Sequence, residues 1–187
     1  MHNIAIFGSG SGTNAENIIK YFADNETIRI AVVLSNRKDA GIHVRAKNLN
    51  VPTCTFTLTE FREGVLILNT LADYKVDFII LAGFLPLVSA VIIDAYPEKI
   101  INIHPALLPK FGGKGMYGSY VHEAVVAAGE TETGITVHYV NEQYDEGAII
   151  FQASCPVLSS DTADDVALKV HMLEYKYFPH VIRNLLM

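Results

Sequence analysis

Cysteine is scarce in this chain: only Cys54 and Cys155 occur among 187 residues. They lie far apart, without a CxxC partner and without histidines at ligand spacing, so neither a disulfide framework nor a zinc site is expected. Both fall in strand-like runs, PTCTF and QASCPV, which suits buried, inert thiols in a reducing compartment. Basic charge is equally thin. No Lys/Arg block exceeds two neighbours and the net charge is −6, which removes the electrostatic footprint of a protein that grips a nucleic-acid backbone or an anionic membrane. Any anionic ligand must be held locally. No apolar run approaches the ~20 residues of a membrane span, and MHNIAIFGSG enters a strand-like run with no basic leader. These absences predict a cytoplasmic protein that handles small molecules, without nucleic-acid or membrane partners; monomer and homodimer both stay open.

What is present is apolar. Half of the residues are hydrophobic, enough for a proper core, and the length predicts a single domain over 1–187. Short β-rich runs alternate with helical patterns: NIAIF, then a helix over 14–23; RIAVVLS, then 40–49; PTCTF, then 60–74; DFIILAG, then a helix near 88–95; and finally KIINIH. This alternation predicts an α/β fold, a doubly wound and mostly parallel sheet with helices on both faces. After Pro109 the pattern changes. A glycine-rich loop, FGGKGMYGS, leads to a helix near 120–128, then to GITVHYV and AIIFQASCPV joined by the turn NEQYDEG. Two strands so closely linked should pair antiparallel. A final helix should start at Asp161, carry Val166, Val170, Leu173 and Tyr177 on its apolar face, and be kinked or split by Pro179.

The loop GSGSGTN (8–14) joins the first strand to the first helix, where backbone N–H groups and the helix dipole favour an anion. Thr13 or Asn14 could cap that helix. The dinucleotide fingerprint fails: the spacing is G-x-G-x-G, and the second strand ends in Ser35-Asn36 without a ribose-binding acid. There is no GK[ST] ending for a P-loop either. A single phosphate fits; so does a tight turn that merely needs glycine.

Ligands of open α/β sheets bind outside the carboxyl ends of the strands. There IINIHPALLP (100–109) ends an apolar run in Asn102 and His104, two apart and so on one side of a strand. An amide donor and an imidazole are the parts of an oxyanion site with proton transfer. The turn YDEG offers two carboxylates, Asp145 and Glu146, either of which would fix the His104 tautomer and raise its pKa. Glu174 falls on the apolar face of the last helix, a costly place unless it is paired.

Together G-x-G-[ST]-N, LAGF (81–84), NIHPxLLP and the later xDxG turn resemble the folate-dependent formyltransferases over nearly the whole chain, and most of all the members that formylate 5′-phosphoribosylglycinamide (GAR) in purine synthesis. The resemblance implies a Rossmann-like transferase that uses 10-formyltetrahydrofolate as co-substrate, without a metal. It matches Asn102, His104 and Asp145 to the catalytic trio, and Gly12, Thr13 and Asn14 to the loop that holds the GAR phosphate. Glu174 matches a carboxylate that contacts the ribonucleotide. Leu85, Pro86, Leu87 and Val88 match the folate pocket, with Asn102 at its catalytic end and Arg62 as an arginine near the folate. It also implies a phosphate-binding N-terminal half and a folate-binding, catalytic C-terminal half. Pro86 stands where many members have arginine, Ala106 replaces the serine of HPSLLP, and the glycine-rich loop is longer than in the shorter forms. The alternatives are hydrolysis of 10-formyltetrahydrofolate, another formyl acceptor, or a noncatalytic nucleotide-binding module on the same fold.

Overall fold

The computed structural model describes residues 1–187. Its strands are β1 (His2–Phe7), β2 (Ile28–Ser35), β3 (Thr53–Thr55), β4 (Phe78–Leu81), β5 (Ile100–His104), β6 (Glu132–Tyr139) and β7 (Ile149–Pro156). The helices are α1 (Thr13–Tyr21), α2 (Gly41–Asn48), α3 (Leu58–Glu63), α4 (Val65–Asp73), α5 (Ala90–Ala95), α6 (Ser119–Ala127) and α7 (Ala163–Leu186). One sheet runs β3-β2-β1-β4-β5-β6-β7. Strands β1 to β5 are parallel, while β6 runs antiparallel to β5 and β7 to β6. The expected doubly wound sheet with an antiparallel C-terminal pair is the observed architecture.

Alternation within β1 divides the core. Ile4 and Ile6 pack under α1, α2, α6 and α7, whereas Ala5 and Phe7 pack under α3, α4 and α5. Each fully buried Ile or Phe side chain contributes roughly 1.5–3 kcal/mol, so stability resides on the two sheet faces. The edge is left free for polar chemistry. The chain winds outward from β1 to β3 and then returns to place β4 on the other side of β1. That reversal opens the crevice between the loops after β1 and β4, and the two loops are tied there by the Ser9 N–H to the Gly83 carbonyl at 2.9 Å.

Several local expectations change. The helix expected over 60–74 is two helices, because Gly64 takes a left-handed conformation (φ 78°) that closes α3 and opens α4. The helix near 88–95 is only Ala90–Ala95, which leaves 85–89 as loop along the crevice. Neither Thr13 nor Asn14 caps α1; Gly12 does, with φ 78° and no side-chain bond, and a Cβ at Gly12 would collide with the Ile42 backbone. Helix α7 is capped by Thr162 in a reciprocal box with Asp165, while Asp161 pairs with Lys169. Pro179 neither splits nor ends α7. The carbonyl that it leaves unbonded, Tyr175 O, accepts the Asn17 amide at 3.0 Å, so α1 supplies the missing donor. Cys54 and Cys155 are free and only half-buried, since they lie on the two edge strands, β3 and β7.

Candidate active site

Strand β5 delivers Asn102 and His104 to the carboxyl edge. Ile101 and Ile103 point into the larger core, which turns the alternate residues Asn102 and His104 to the opposite side. The turn that follows is fastened from β6 and β7. The buried Thr136 hydroxyl donates to the Ala106 carbonyl at 2.7 Å and accepts from the Leu108 N–H at 3.0 Å. Gln152 Nε2 donates to the Leu108 carbonyl at 3.0 Å. This clamp fixes the chain just ahead of Phe111, whose left-handed conformation (φ 55°) sets its carbonyl 2.7 Å from His104 Nε2.

A carbonyl only accepts, so His104 Nε2 carries a proton. Its working nitrogen is therefore Nδ1, which lies 3.5 Å from Asp145 Oδ2. Asp145 Oδ2 also accepts the Gly113 N–H at 2.9 Å, and Asp145 Oδ1 lies 3.5 Å from Asn102 Nδ2. Asp145 is thus the partner chosen from the turn; Glu146 is exposed. The three side chains singled out in the sequence converge, with an amide and an imidazole facing one carboxylate at loose distances. Such contacts commonly tighten only around a substrate.

The electrostatics depart from expectation in one respect. The His104 pKa is lowered, not raised: burial dominates, although the Asp145 charge and the Phe111 carbonyl push back. For Asp145, burial works upward but is outweighed by the His138 side chain, the His104 charge and the Gly113 N–H, so its carboxyl lies below the usual range.

His138 was not singled out in the sequence. It faces Asn102 across the β5–β6 ladder, donates from Nδ1 to the Tyr139 carbonyl at 2.8 Å and receives Asn102 Nδ2 at its Nε2 at 3.1 Å. That contact orients the amide. Its only sequence signal was a histidine inside an apolar strand, and the register that pairs it with Asn102 is a long-range property.

A second polar cluster gathers around Glu174, which is buried on α7. Asn14 Nδ2 donates to Glu174 Oε2 at 2.8 Å, and His171 Nδ1 donates to the same oxygen at 2.8 Å. The hydrogen bond to Glu174 raises the His171 pKa. His171 was also missed, although its position three residues before Glu174 on a helix was a readable signal. Gly12 and Thr13 lie half-buried beside Asn14 at the start of α1.

Along the crevice lies a cavity of about 740 Å³ lined by Leu58, Phe61, Leu85, Pro86, Leu87 and Val88 on its apolar side, with Arg62 and Asn36 among its polar groups. Its floor is an aromatic cluster in which Phe61 stacks on Phe56 at 5.1 Å and meets Phe84 edge-on at 5.1 Å. The buried Ser9 hydroxyl receives the Leu85 N–H at 3.1 Å and donates to Asn36 at 2.6 Å, which anchors the segment that forms the wall. A smaller cavity shares Pro86, Leu87, Val88 and Tyr144 with the first and reaches Asn102 and Asp145. Arg62, Leu85, Pro86, Leu87 and Val88 line the larger cavity together with Tyr117 and Tyr144, and Asn102 lines the smaller one. No group of three or more His, Cys, Asp or Glu side chains is arranged to hold a metal ion, and no helix is long and apolar enough to cross a membrane.

The family model described as formyl transferase matches residues 2–182. The chain belongs to the formyl transferase family. Among family members it is 38% identical over 185 residues to the chloroplastic phosphoribosylglycinamide formyltransferase of Arabidopsis thaliana, covering 96% of this chain and 63% of that protein. It is 36% identical to the phosphoribosylglycinamide formyltransferase of Haemophilus influenzae, covering 98% of this chain and 86% of that one. Thus the chain spans somewhat under two thirds of the plant relative and most of the bacterial one. The crystal structure of glycinamide ribonucleotide transformylase 1 from Geobacillus kaustophilus superposes with a TM-score of 0.91 at 34% identity, covering 100% of both chains. This formyl transferase fold is therefore shared along its whole length with a solved relative.

Proposed function

We propose that the chain transfers the formyl group of 10-formyltetrahydrofolate to the amine of 5′-phosphoribosylglycinamide, giving formyl-GAR and tetrahydrofolate for purine biosynthesis. The observation that carries this reading is the convergence of Asn102, His104 and Asp145 at the inner end of an apolar crevice. The relatives above are named as phosphoribosylglycinamide formyltransferases or a glycinamide ribonucleotide transformylase, which supports GAR as the formyl acceptor. In this reading the chain acts as one unit: the crevice walls from residues 58–62 and 85–88 take the folate, and the later strands and turn supply the catalytic trio.

The crevice residues fit a folate. A cavity of about 740 Å³ lies in the usual range for small-molecule sites. Its aliphatic and aromatic walls suit a flat heterocycle, and Arg62 on the exposed side suits the acidic tail. The folate supplies a formyl carbon bonded to a nitrogen that can leave. Pro86 contributes apolar surface here where many members carry arginine.

Asn102 Nδ2 and protonated His104 Nδ1 donate to the formyl oxygen as negative charge develops on it. Both already face Asp145, whose carboxylate favours the charged imidazole. The burial that lowers the His104 pKa makes its imidazolium a stronger acid, ready to release a proton during turnover. Through water, Asp145 helps carry the proton of the attacking amine towards the departing nitrogen. The backbone N–H groups of Gly12, Thr13 and Asn14 hold the phosphate at the start of α1, and Glu174 holds the ribose. This remote binding fixes the amine at reacting distance, which can lower the barrier by several kcal/mol. None of these steps calls on a metal.

The test is incubation with 10-formyltetrahydrofolate, with and without GAR. Formyl-GAR and tetrahydrofolate should accumulate only when both are present. Formate released at an equal rate without GAR would mean a hydrolase, and binding without turnover would mean a noncatalytic module; either result defeats the proposal.

A further inference from the structure

Three buried side-chain atoms make no hydrogen bond: Asn14 Oδ1, His122 Nδ1 and Thr133 Oγ1. Unpaired buried polar atoms are uncommon enough that each calls for an explanation. Two of the three belong to the Glu174 cluster. Asn14 uses its amide N–H₂ on Glu174 and leaves its oxygen unpaired. His122 approaches from α6, with its ring edge-on to His171 at 6.5 Å between centroids. It is only 4% exposed, and the charges of His171, Glu174 and His104 all act on it.

The chemistry of this trio narrows its ligand. Asn14 Oδ1 and the Glu174 carboxylate accept and cannot donate. Burial, the largest influence, and the charge of His171 hold the His122 pKa below the ordinary imidazole value; the neutral ring has one N–H and one lone pair. A phosphate would bring only acceptors to two acceptors. An ammonium would suit them, but Glu174 Oε2 already accepts from both Asn14 and His171. Neighbouring hydroxyls of a sugar both donate and accept, which matches two acceptors beside a neutral imidazole.

We propose that His122 is a further substrate-binding residue: through Nδ1 it hydrogen-bonds a ribose hydroxyl of the ribonucleotide, whose neighbouring hydroxyl meets Glu174 and Asn14 Oδ1. The inference rests on the GAR reaction proposed above. It goes beyond that reading by giving a role to a residue of α6 that lies outside both the catalytic trio and the phosphate loop.

The experiment measures KM for GAR and for 10-formyltetrahydrofolate in wild type, His122→Ala and His122→Gln, with 2′-deoxy and 3′-deoxy GAR as alternative substrates. One neutral hydrogen bond predicts a rise of about 5- to 10-fold in KM for GAR in His122→Ala. The folate KM and kcat should stay within about twofold, with part of the loss restored in His122→Gln. With the analogue that lacks the bonded hydroxyl, wild type and His122→Ala should have the same KM. An unchanged GAR KM in a folded variant, or an equal rise with both deoxy analogues, overturns the proposal. If His122→Ala does not fold, His122→Gln is compared with wild type across the three substrates under the same criteria. Wild-type protein that fails to turn over GAR defeats the reaction itself and this inference with it; wild-type turnover with no effect of residue 122 defeats the inference alone.

Discussion

Two polar clusters sit at the same edge of one sheet, and they are finished differently. In the Asn102–His104–Asp145 cluster every buried side-chain polar atom has a partner, yet the contacts that matter chemically are loose, at 3.5 Å. In the Glu174 cluster the contacts to the carboxylate are tight, at 2.8 Å, yet Asn14 Oδ1 and His122 Nδ1 remain unpaired. The difference follows from what each would do. A site that stabilises developing charge needs oriented donors held off their final distance. A site that grips a ground-state ligand needs preset groups whose hydrogen-bonding capacity is still unfilled.

The sharpest way to break the comparison is to remove a donor from the first cluster. Asn102→Ala should retain the fold and lose on the order of 10²–10³ in kcat, read by steady-state turnover alongside a thermal melt; near wild-type kcat would remove Asn102 from the oxyanion role. Asp145→Asn keeps the shape of the side chain but removes the charge that raises the His104 pKa. A fall in kcat of about 10²-fold, at the lower end of general acid–base effects, is expected, because without that charge the imidazole holds its proton more weakly still. A kcat near that of wild type would separate Asp145 from His104 protonation.

The second cluster should answer through affinity. Glu174→Gln loses charge-assisted hydrogen bonds, each worth about 1.5–3 kcal/mol, so KM for GAR should rise roughly 10- to 100-fold while the folate KM holds. A kcat effect without a KM effect would assign Glu174 to the chemistry.

The smallest effect concerns stability. His104 and His122 have folded-state pKa values lowered from 6.5, so below about pH 6.5 the unfolded chain binds more protons than the folded one and stability falls with acidification. His171 is shifted upward and works the other way, losing its contribution as pH rises through its folded value. Two buried rings against one half-exposed ring predict a net fall in Tm from pH 7 to pH 5.5. The fall should be shallower in His122→Gln, and an equal slope would mean that His122 does not titrate on unfolding.

Much of the fold was legible because it depends on local pattern. Apolar runs alternating with helical segments gave the parallel sheet, and the short link between the last two strands gave their antiparallel pairing. Asn102 and His104 were legible from their spacing of two on a strand, and Glu174 from its misfit on an apolar helix face. What escaped depends on contacts far apart in sequence. His138 becomes relevant only through the β5–β6 register. The continuity of α7 through Pro179 rests on Asn17, 158 residues away from the carbonyl that it satisfies. The direction of the His104 shift depends on burial outweighing a neighbouring carboxylate, a balance of desolvation against charge that no residue pattern carries. The split at Gly64 was a local signal passed over, since glycine before a second apolar run is a common helix stop.

The central claim, that His104 Nδ1 and Asn102 act together on a formyl oxygen, is tested most directly by two-substrate single turnover of His104→Ala against wild type. The account predicts a folded variant that still binds both substrates but forms formyl-GAR at least about 10²-fold more slowly. Formation of formyl-GAR at the wild-type rate by that variant would contradict it.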